Sequence, residues 1–224
     1  MQRIFDIVFS GLALLFFSPL MVPILIILRL TGEGEMFFLQ DRVGRYGNKF
    51  KLIKFATMLK DSPNIGTGTV TVHKDPRILP LGGFFRKTKI NELPQLINIF
   101  KGDMSVIGPR PQTNRCFNAF PEDFQKEIIK VRPGLSGVGS IVFRNEEEMM
   151  HANNDPDTFY NEIIMPYKGS LEAWYVQNRD IFKYFSFIFI TLLIIILPLN
   201  KLIFKIYPSI PKAPNVLNEL LKNK

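Results

Sequence analysis

The sequence is poor in thiols and imidazoles: its 224 residues include one cysteine, Cys116, and two histidines, His73 and His151. A single cysteine excludes an internal disulfide framework, and with only two histidines no zinc site of the Cys/His kind can be built. The lone thiol also agrees with a reducing compartment. Negative charge is scarce too, with 20 Asp and Glu against 28 Lys and Arg, a net charge of +8. No internal repeat is present, which excludes a repeat array. No DNA- or RNA-binding motif accompanies the basic excess, so nucleic acid is not the expected partner. Apolar residues, in contrast, are plentiful. They make up 46% of the chain, and 21 of them are Phe, which excludes a disordered chain.

The apolar residues gather at the two ends. Ile7–Leu28 is uncharged over 22 residues, long enough for a bilayer, which needs roughly 20. A cleaved signal peptide fits poorly, because the run is long, Asp6 stands beside the lone Arg3, and no small-x-small site follows. One reading is a straight transmembrane helix. The other is a re-entrant hairpin broken at Ser18-Pro19, with Pro23 one turn on. Proline removes an amide donor and clashes with the preceding turn. The Ser18 hydroxyl can bond back to a carbonyl so freed. Basic residues flank both sides (Arg3, then Arg29, Arg42 and Arg45), which suits a helix that returns to the face it entered. A second uncharged run of 17 residues, Tyr184–Asn200, is borderline for a span. It reads equally as an interfacial helix.

Between the ends lies a polar, basic body. Residues 37–58 read as two short strands around a Gly44–Gly47 turn. Residues 64–83, punctuated by Gly and Pro, read as strand or loop. KINELPQLINIF carries Ile90, Leu93, Leu96, Ile97 and Phe100 at helical spacing, with Pro94 suited to a first turn. EDFQKEIIKV and residues 144–167 read as further helices. The expected fold is therefore α+β: a small mixed α/β body over 31–180, a membrane helix over 1–30, and a membrane-associated helix and tail over 181–224, with interfacial amphipathic helices.

Basic groups recur beside Gly or Pro: DPR at 75–77, GPRP at 108–111 and VRPG at 131–134. Any single Lys or Arg of this kind can simply face anionic lipid, worth about 1 kcal/mol near the surface. GPRP is less easily read that way, because two prolines hold Arg110 in a stiff setting suited to bidentate phosphate recognition. Glu92 precedes Pro94 at a helix start, where it can cap or stand near a docked phosphate. Together with the RKTK run it would suit phosphoryl transfer with a divalent ion. Asp103 is expected as the N-cap of a following helix.

Taken together, RIFDIVFSGLALLFFSPL (3–20), FFLQDRVGRYGNKFKLIKFATM (37–58), DPRILPLGGFFRKTKINELPQLINIFKGDMSVIGPRP (75–111), RPGLSGVGSI (132–141) and WYVQNRDIF (174–182) resemble the bacterial sugar transferase family, the monotopic polyprenyl-phosphate phosphoglycosyl transferases. The likeness covers roughly residues 3–190. It implies transfer of a sugar-1-phosphate from a UDP-sugar to a polyprenyl (undecaprenyl) phosphate, with release of UMP and with Mg²⁺. It also implies a site on the cytoplasmic face of the bacterial inner membrane and a re-entrant helix broken at a Ser-Pro pair such as Ser18-Pro19. The implied partners are the UDP-sugar, polyprenyl phosphate, anionic membrane lipid and downstream glycosyltransferases; a homo-oligomer stays open. Arg77, Arg86, Lys87 and Arg110 match the family's basic framework and would hold substrate phosphate, and Glu92 would help hold the metal.

Two positions depart from the pattern. The family usually has Asp-Glu where this chain has Asn91-Glu92, and the Asp is the covalent nucleophile. An amide has no anionic oxygen with which to attack. The family also usually has Arg where Ala56 stands. A rearranged subfamily, an inactivated relative and an engineered variant all stay open. The intact basic framework favours a working site, with Glu92 as the remaining nucleophile candidate. The rivals are a non-catalytic scaffold that binds polyprenyl phosphate or UDP-sugar, and a peripheral protein that only recognises anionic lipid.

Overall fold

A computed structural model describes residues 1–65, 75–144, 146, 149, 156–197 and 202–222. His73, His151, residues 66–74 of the expected strand or loop at 64–83, and much of the acidic 145–155 stretch lie outside the described residues. The fold is mixed, with helices around two small sheets.

Helix α1 (Gln2–Leu30) is 29 residues long, about 43 Å at 1.5 Å per residue. It is long and apolar enough to cross a membrane, yet it lies against the body along its whole length. At its start Gln2 Nε2 donates to Ser105 Oγ at 2.8 Å, and Arg3 donates to the carbonyls of Ile99 and Phe100 at 2.5 and 2.8 Å. Leu14 and Phe17, in its middle, pack with Leu52, Leu96 and Met104. Met21, Ile24 and Leu28 pack with Phe55 and Phe85. The opposite face leaves Leu12, Leu15, Phe16, Leu20 and Val22 exposed.

The helix is not interrupted at Ser18-Pro19. It stays α-helical through Pro19 and Pro23. Pro19 has no N–H for the Leu15 carbonyl, and the Ser18 hydroxyl donates to that oxygen instead at 2.8 Å. The satisfied carbonyl removes one reason for the chain to open there.

Strands β1 (Phe37–Val43) and β2 (Lys49–Phe55) form the expected antiparallel hairpin, with Phe37 opposite Phe55 and Val43 opposite Lys49. Helix α2 spans Gly82–Lys87 and α3 spans Gln95–Lys101, with Pro94 at its N-cap. The expected helix around Glu92 is shorter at its start than the apolar spacing suggests. Residues Ile90–Glu92 form a separate 3₁₀ turn, entered through Lys89 at a φ of 60°. Asp103 caps no helix: Gly102, at a φ of 103°, ends α3, and the chain extends into β3 (Ser105–Ile107). The Asp103 carboxylate instead accepts from Asn98 Nδ2 at 3.1 Å.

Helices α4 (Asn114–Asn118) and α5 (Glu122–Ile128) carry the chain from β3 to β4 (Gly134–Ser136), which pairs parallel to it. The turn after β3 touches both the start of β4 and the turn after it, backbone to backbone. A Cβ on Gly134 would stand 2.1 Å from the Gly108 nitrogen, and one on Gly137 would stand 2.2 Å from the Gly108 oxygen. The glycines of GPRP and RPGLSG are therefore a packing requirement.

Helix α6 (Val138–Val142) follows. Then α7 (Pro156–Phe159) runs through a π-helical turn at Tyr160–Ile164 into α8 (Met165–Asn178), and α9 spans Ile181–Ile196. Helix α9 divides its apolar residues between two faces. Tyr184, Phe187, Ile190 and Ile194 are buried in one core with Val138, Ile141, Leu171 and Tyr175, while Phe182, Phe189, Leu192 and Ile195 are exposed. Half of the second apolar run is thus core. Two short helices, α10 (Leu202–Ile206) and α11 (Asn215–Lys222), close the described chain.

Asp6 ties these layers together. Its Oδ1 accepts from Ser105 Oγ, the Val106 N–H and Tyr184 Oη, each at 2.9 Å, and so joins α1, β3 and α9. A buried carboxylate persists only when paired or fully hydrogen-bonded.

Candidate active site

Asn98 fastens α3 to the hairpin and so sets the site's geometry. Its Oδ1 accepts from the Ile53 N–H at 3.0 Å and its Nδ2 donates to the Lys51 carbonyl at 2.8 Å. The next strand residue, Lys54, then reaches the turn before α3. There Glu92 Oε1 accepts from Arg110 Nη2 at 3.1 Å, with Lys54 Nζ at 3.5 Å. Glu92 and Lys54 are mostly buried, whereas the Arg110 side chain is 33% exposed. Glu92 Oε2 has no hydrogen-bond partner among the described residues.

The charges in this cluster act on one another. Burial alone would raise the Glu92 pKa, but Arg110, Lys54 and Lys89 outweigh it and hold the carboxyl well below its usual range. Burial lowers the Lys54 ammonium to about 8; Glu92 opposes the shift, and Arg42, Arg110 and Arg86 add to it. Arg42 falls to about 10 through burial and the repulsion of Arg110. Arg110 is held above its ordinary value, chiefly by Glu92. The result is one ionised carboxylate within an excess of positive charge, as an anionic ligand requires.

Backbone contacts fix the GPRP segment. Arg42 Nη1 donates to the Pro111 carbonyl at 3.1 Å, and the Arg110 N–H donates to Glu172 Oε1 at 3.1 Å. Glu172 is 1% exposed. Burial raises its carboxyl to about 7 against the N–H donors of Arg110 and Gly139. A Cβ on Gly139 would come within 2.4 Å of Glu172 Oε1. Lys168 lies close by and pairs with Glu146 at 2.8 Å.

The structure thus brings Glu92, Asn91 and Arg110 together, with Arg86 near enough to depress Lys54. Lys87 is exposed on α2. Asn91 is buried, and its Oδ1 has no hydrogen-bond partner among the described residues. Arg77 is committed elsewhere: it is 3% exposed, pairs bidentately with Asp75, and donates to the carbonyls of Ser62 and Ile65. Ser18 and Pro19 sit within α1, away from the carboxylates in sequence and joined to Leu15.

Sequence reasoning gave Arg42 only a place in the basic flank of the membrane helix, gave Lys54 no role, and missed Glu172 altogether. The available signal for Glu172 was a lone acid inside the apolar run LEAWYV, where an unpartnered charge would be costly.

Among the described residues no three His, Cys, Asp or Glu side chains cluster closely enough to hold a metal by themselves. Magnesium, however, usually takes one or two protein oxygens and completes its octahedron with water and substrate phosphates. Glu92 Oε2 and the orphaned Asn91 Oδ1, on adjacent residues, fit that use.

A family model described as bacterial sugar transferase matches residues 1–198. The exopolysaccharide production protein ExoY of Rhizobium meliloti is 29% identical over 205 residues, covering 85% of this chain and 83% of the relative. The UDP-N-acetylgalactosamine-undecaprenyl-phosphate N-acetylgalactosaminephosphotransferase of Aeromonas hydrophila is 36% identical over 143 residues, covering 63% of this chain and 34% of the relative. The undecaprenyl-phosphate galactose phosphotransferase of Salmonella typhimurium is 30% identical over 205 residues, covering 85% and 39%. The chain therefore spans about a third to two fifths of the latter two relatives. With the family model covering most of its length, this chain belongs to the bacterial sugar transferase family.

Proposed function

We propose that the chain transfers a sugar-1-phosphate from a UDP-sugar to undecaprenyl phosphate, as a first membrane step of polysaccharide or glycan assembly. The observation that carries this reading is Glu92, ionised and held through one oxygen by Arg110 and Lys54, with no hydrogen-bond partner on its second oxygen among the described residues. In the first half, Glu92 Oε2 attacks the sugar-bearing phosphorus of the UDP-sugar. The bond from that phosphorus to the bridging oxygen breaks and UMP leaves with the electron pair, so that Glu92 holds the phosphosugar as an acyl phosphate. In the second half, an oxygen of undecaprenyl phosphate attacks the same phosphorus, the acyl bond breaks, and the Glu92 carboxylate is restored. Arg110, with Arg86 and Lys87 on the α2 side, would grip the diphosphate. Lys54 and Arg42 would balance charge as UMP forms. Magnesium held by Asn91 beside Glu92 would neutralise charge on the phosphate oxygens, leaving Glu92 Oε2 for the attack. Arg77, paired with Asp75, would shape the loop without touching substrate.

The disposition of α1 supports a monotopic membrane protein on the cytoplasmic face of the inner membrane. A crossing helix would carry one end to the far side of the bilayer, whereas Gln2, Leu14 and Leu28 all meet the same body. The exposed stripe of α1, with Phe182, Phe189 and Leu192 of α9, offers an apolar surface for lipid. Undecaprenyl phosphate would approach along it, and downstream glycosyltransferases would receive the product.

Asn91 supports a second reading. An amide where the family places its nucleophile, buried with an unsatisfied oxygen, suits a relative that binds polyprenyl phosphate or UDP-sugar without turnover. The test is UMP release by the purified full chain with Mg²⁺, undecaprenyl phosphate and a panel of UDP-sugars. Turnover supports the transferase. Binding of a UDP-sugar with no UMP from any donor supports the scaffold.

A further inference from the structure

A cavity of about 160 Å³ opens at the start of α1 and shares no residue with the Glu92 cluster. Arg3, Arg45, Arg132 and Arg179 line it together with Lys130, against one carboxylate, Asp6. That carboxylate is already engaged by three donors from the body. None of the four arginines has a carboxylate partner among the described residues. Each instead donates to main-chain oxygen: Arg3 to Ile99 and Phe100, Arg132 Nε to Gly102 at 2.7 Å, Arg45 Nε to Lys130 at 3.2 Å and Arg179 Nη1 to Val176 at 3.4 Å. Lys130 pairs with Glu127, outside the cavity lining.

Four guanidinium groups and Lys130 face one void that holds a single carboxylate, Asp6, and a bound anion relieves the excess of positive charge. The forked guanidinium donors match phosphate oxygens. The volume is small beside the roughly 300 Å³ at which pockets for drug-sized ligands begin, so it suits a phosphate group rather than a whole nucleotide. The residues near in sequence to the lining side chains Arg3, Asp6 and Arg179 indicate where the group comes from. Phe5 of α1 meets Phe185 of α9 edge-on at 4.9 Å, so the first turns of the two helices lie side by side. Ile4 and Phe182 from those turns are 65% and 83% exposed. A basic cavity beside exposed apolar side chains is the arrangement in which a headgroup is held while its acyl chains stay in the bilayer.

We propose that this cavity binds a phosphate group at the membrane edge, separately from the Glu92 site, with an anionic phospholipid headgroup as its source. The test titrates the detergent-solubilised full chain with short-chain phosphatidylglycerol and, separately, with inorganic phosphate. Three proteins are compared: wild type, Arg45→Gln/Arg179→Gln and Arg110→Gln. Arg45 and Arg179 are chosen because their bonds within the protein are long. The expected result is that phosphatidylglycerol binds the double variant on the order of thirtyfold more weakly, at roughly fivefold per charge, while Arg110→Gln leaves that affinity unchanged. Loss of a phosphate site in the double variant without loss of lipid affinity would keep the cavity as a phosphate site and assign it to a soluble ligand. Equal affinities for both ligands in wild type and double variant would overturn the proposal. Should the glutamine pair fail to fold, Arg45→Lys/Arg179→Lys keeps the charge and removes the forks. A several-fold loss of affinity supports the cavity, and no loss overturns it.

Discussion

The Arg110 N–H donates to Glu172 Oε1 at 3.1 Å across 62 residues of sequence, while the Arg110 guanidinium reaches Glu92 Oε1, also at 3.1 Å. One residue therefore bridges two carboxylates whose pKa values are pushed in opposite directions. Glu92 is kept ionised by the cations around it, and Glu172 is raised to about 7 by burial. The Glu172 contact acts on the backbone, so it can orient the Arg110 side chain without touching substrate.

Glu172 should accordingly behave as a positioning residue with a pH signature. In the unfolded chain its carboxyl titrates near 4.5, and in the fold near 7. Between these values the folded state binds more protons, so stability falls as pH rises through that window, by up to about 3 kcal/mol. Glu172→Gln keeps an acceptor for the Arg110 N–H and should flatten this slope, with the KM for UDP-sugar little changed. Glu172→Ala removes the acceptor and should raise KM several-fold. Urea midpoints at the two ends of the window, set beside KM values, check both expectations.

Lys54 carries a second pH dependence. Its ammonium titrates near 8 in the fold, so kcat/KM should decline as pH rises past that value, where Glu92 loses one of its two cations. The same shift works oppositely on stability. Above about 8 the unfolded chain binds more protons, so this group makes the fold more stable with rising pH up to its ordinary value of 10.5. Lys54→Arg should move the falling limb of activity well to the alkaline side. A profile that is flat through pH 8 in wild type would remove Lys54 from the charge balance.

The glycine contacts predict a sharp contrast between two alanine substitutions. Gly134→Ala would drive a Cβ to 2.1 Å from the Gly108 nitrogen, whereas a Cβ on Gly83 meets nothing within 4 Å. Neither strand can yield without breaking the β3–β4 pairing. Gly134→Ala should therefore cost several kcal/mol or abolish folding. Gly83→Ala, inside α2, should be neutral or stabilise by up to about 1 kcal/mol. Thermal unfolding of the two variants side by side is the measurement.

The hairpin, the helix after Pro94 and α5 were legible in the sequence because alternation, turn glycines and proline placement are local signals. The Ser18 bond to Leu15 was legible too, since a proline frees a carbonyl at a fixed distance behind it. What sequence could not supply was contact between distant segments. Nothing in RIFDI indicates that Asp6 meets Ser105 and Tyr184. Nothing in DPR indicates that Arg77 is spent on its own loop. The second apolar run looked like membrane helix because burial in a core and burial in lipid use the same side chains; only its packing against α6 and α8 divides the two faces.

The adjacent pair Asn91-Glu92 gives the most decisive experiment. If Glu92 is the nucleophile, Glu92→Gln abolishes both UMP release and any trapped phosphosugar adduct, because the amide lacks the attacking anion. Asn91→Ala should then cost far less, since Asn91 would contribute only an oxygen toward metal or phosphate. If the chain is instead a silent binder, wild type releases no UMP, and Asn91→Asp should start turnover. The new carboxylate would occupy a buried position whose oxygen already lacks a partner, next to a cluster rich in positive charge that favours its ionised form. Intact-mass measurement after mixing with UDP-sugar, without undecaprenyl phosphate, distinguishes the cases. A phosphosugar adduct on wild type that Glu92→Gln removes assigns the role to Glu92, and an adduct appearing only in Asn91→Asp assigns the lost role to position 91. UMP release that survives Glu92→Gln with no adduct on any variant would defeat covalent catalysis by either residue and leave direct attack by the lipid phosphate as the route.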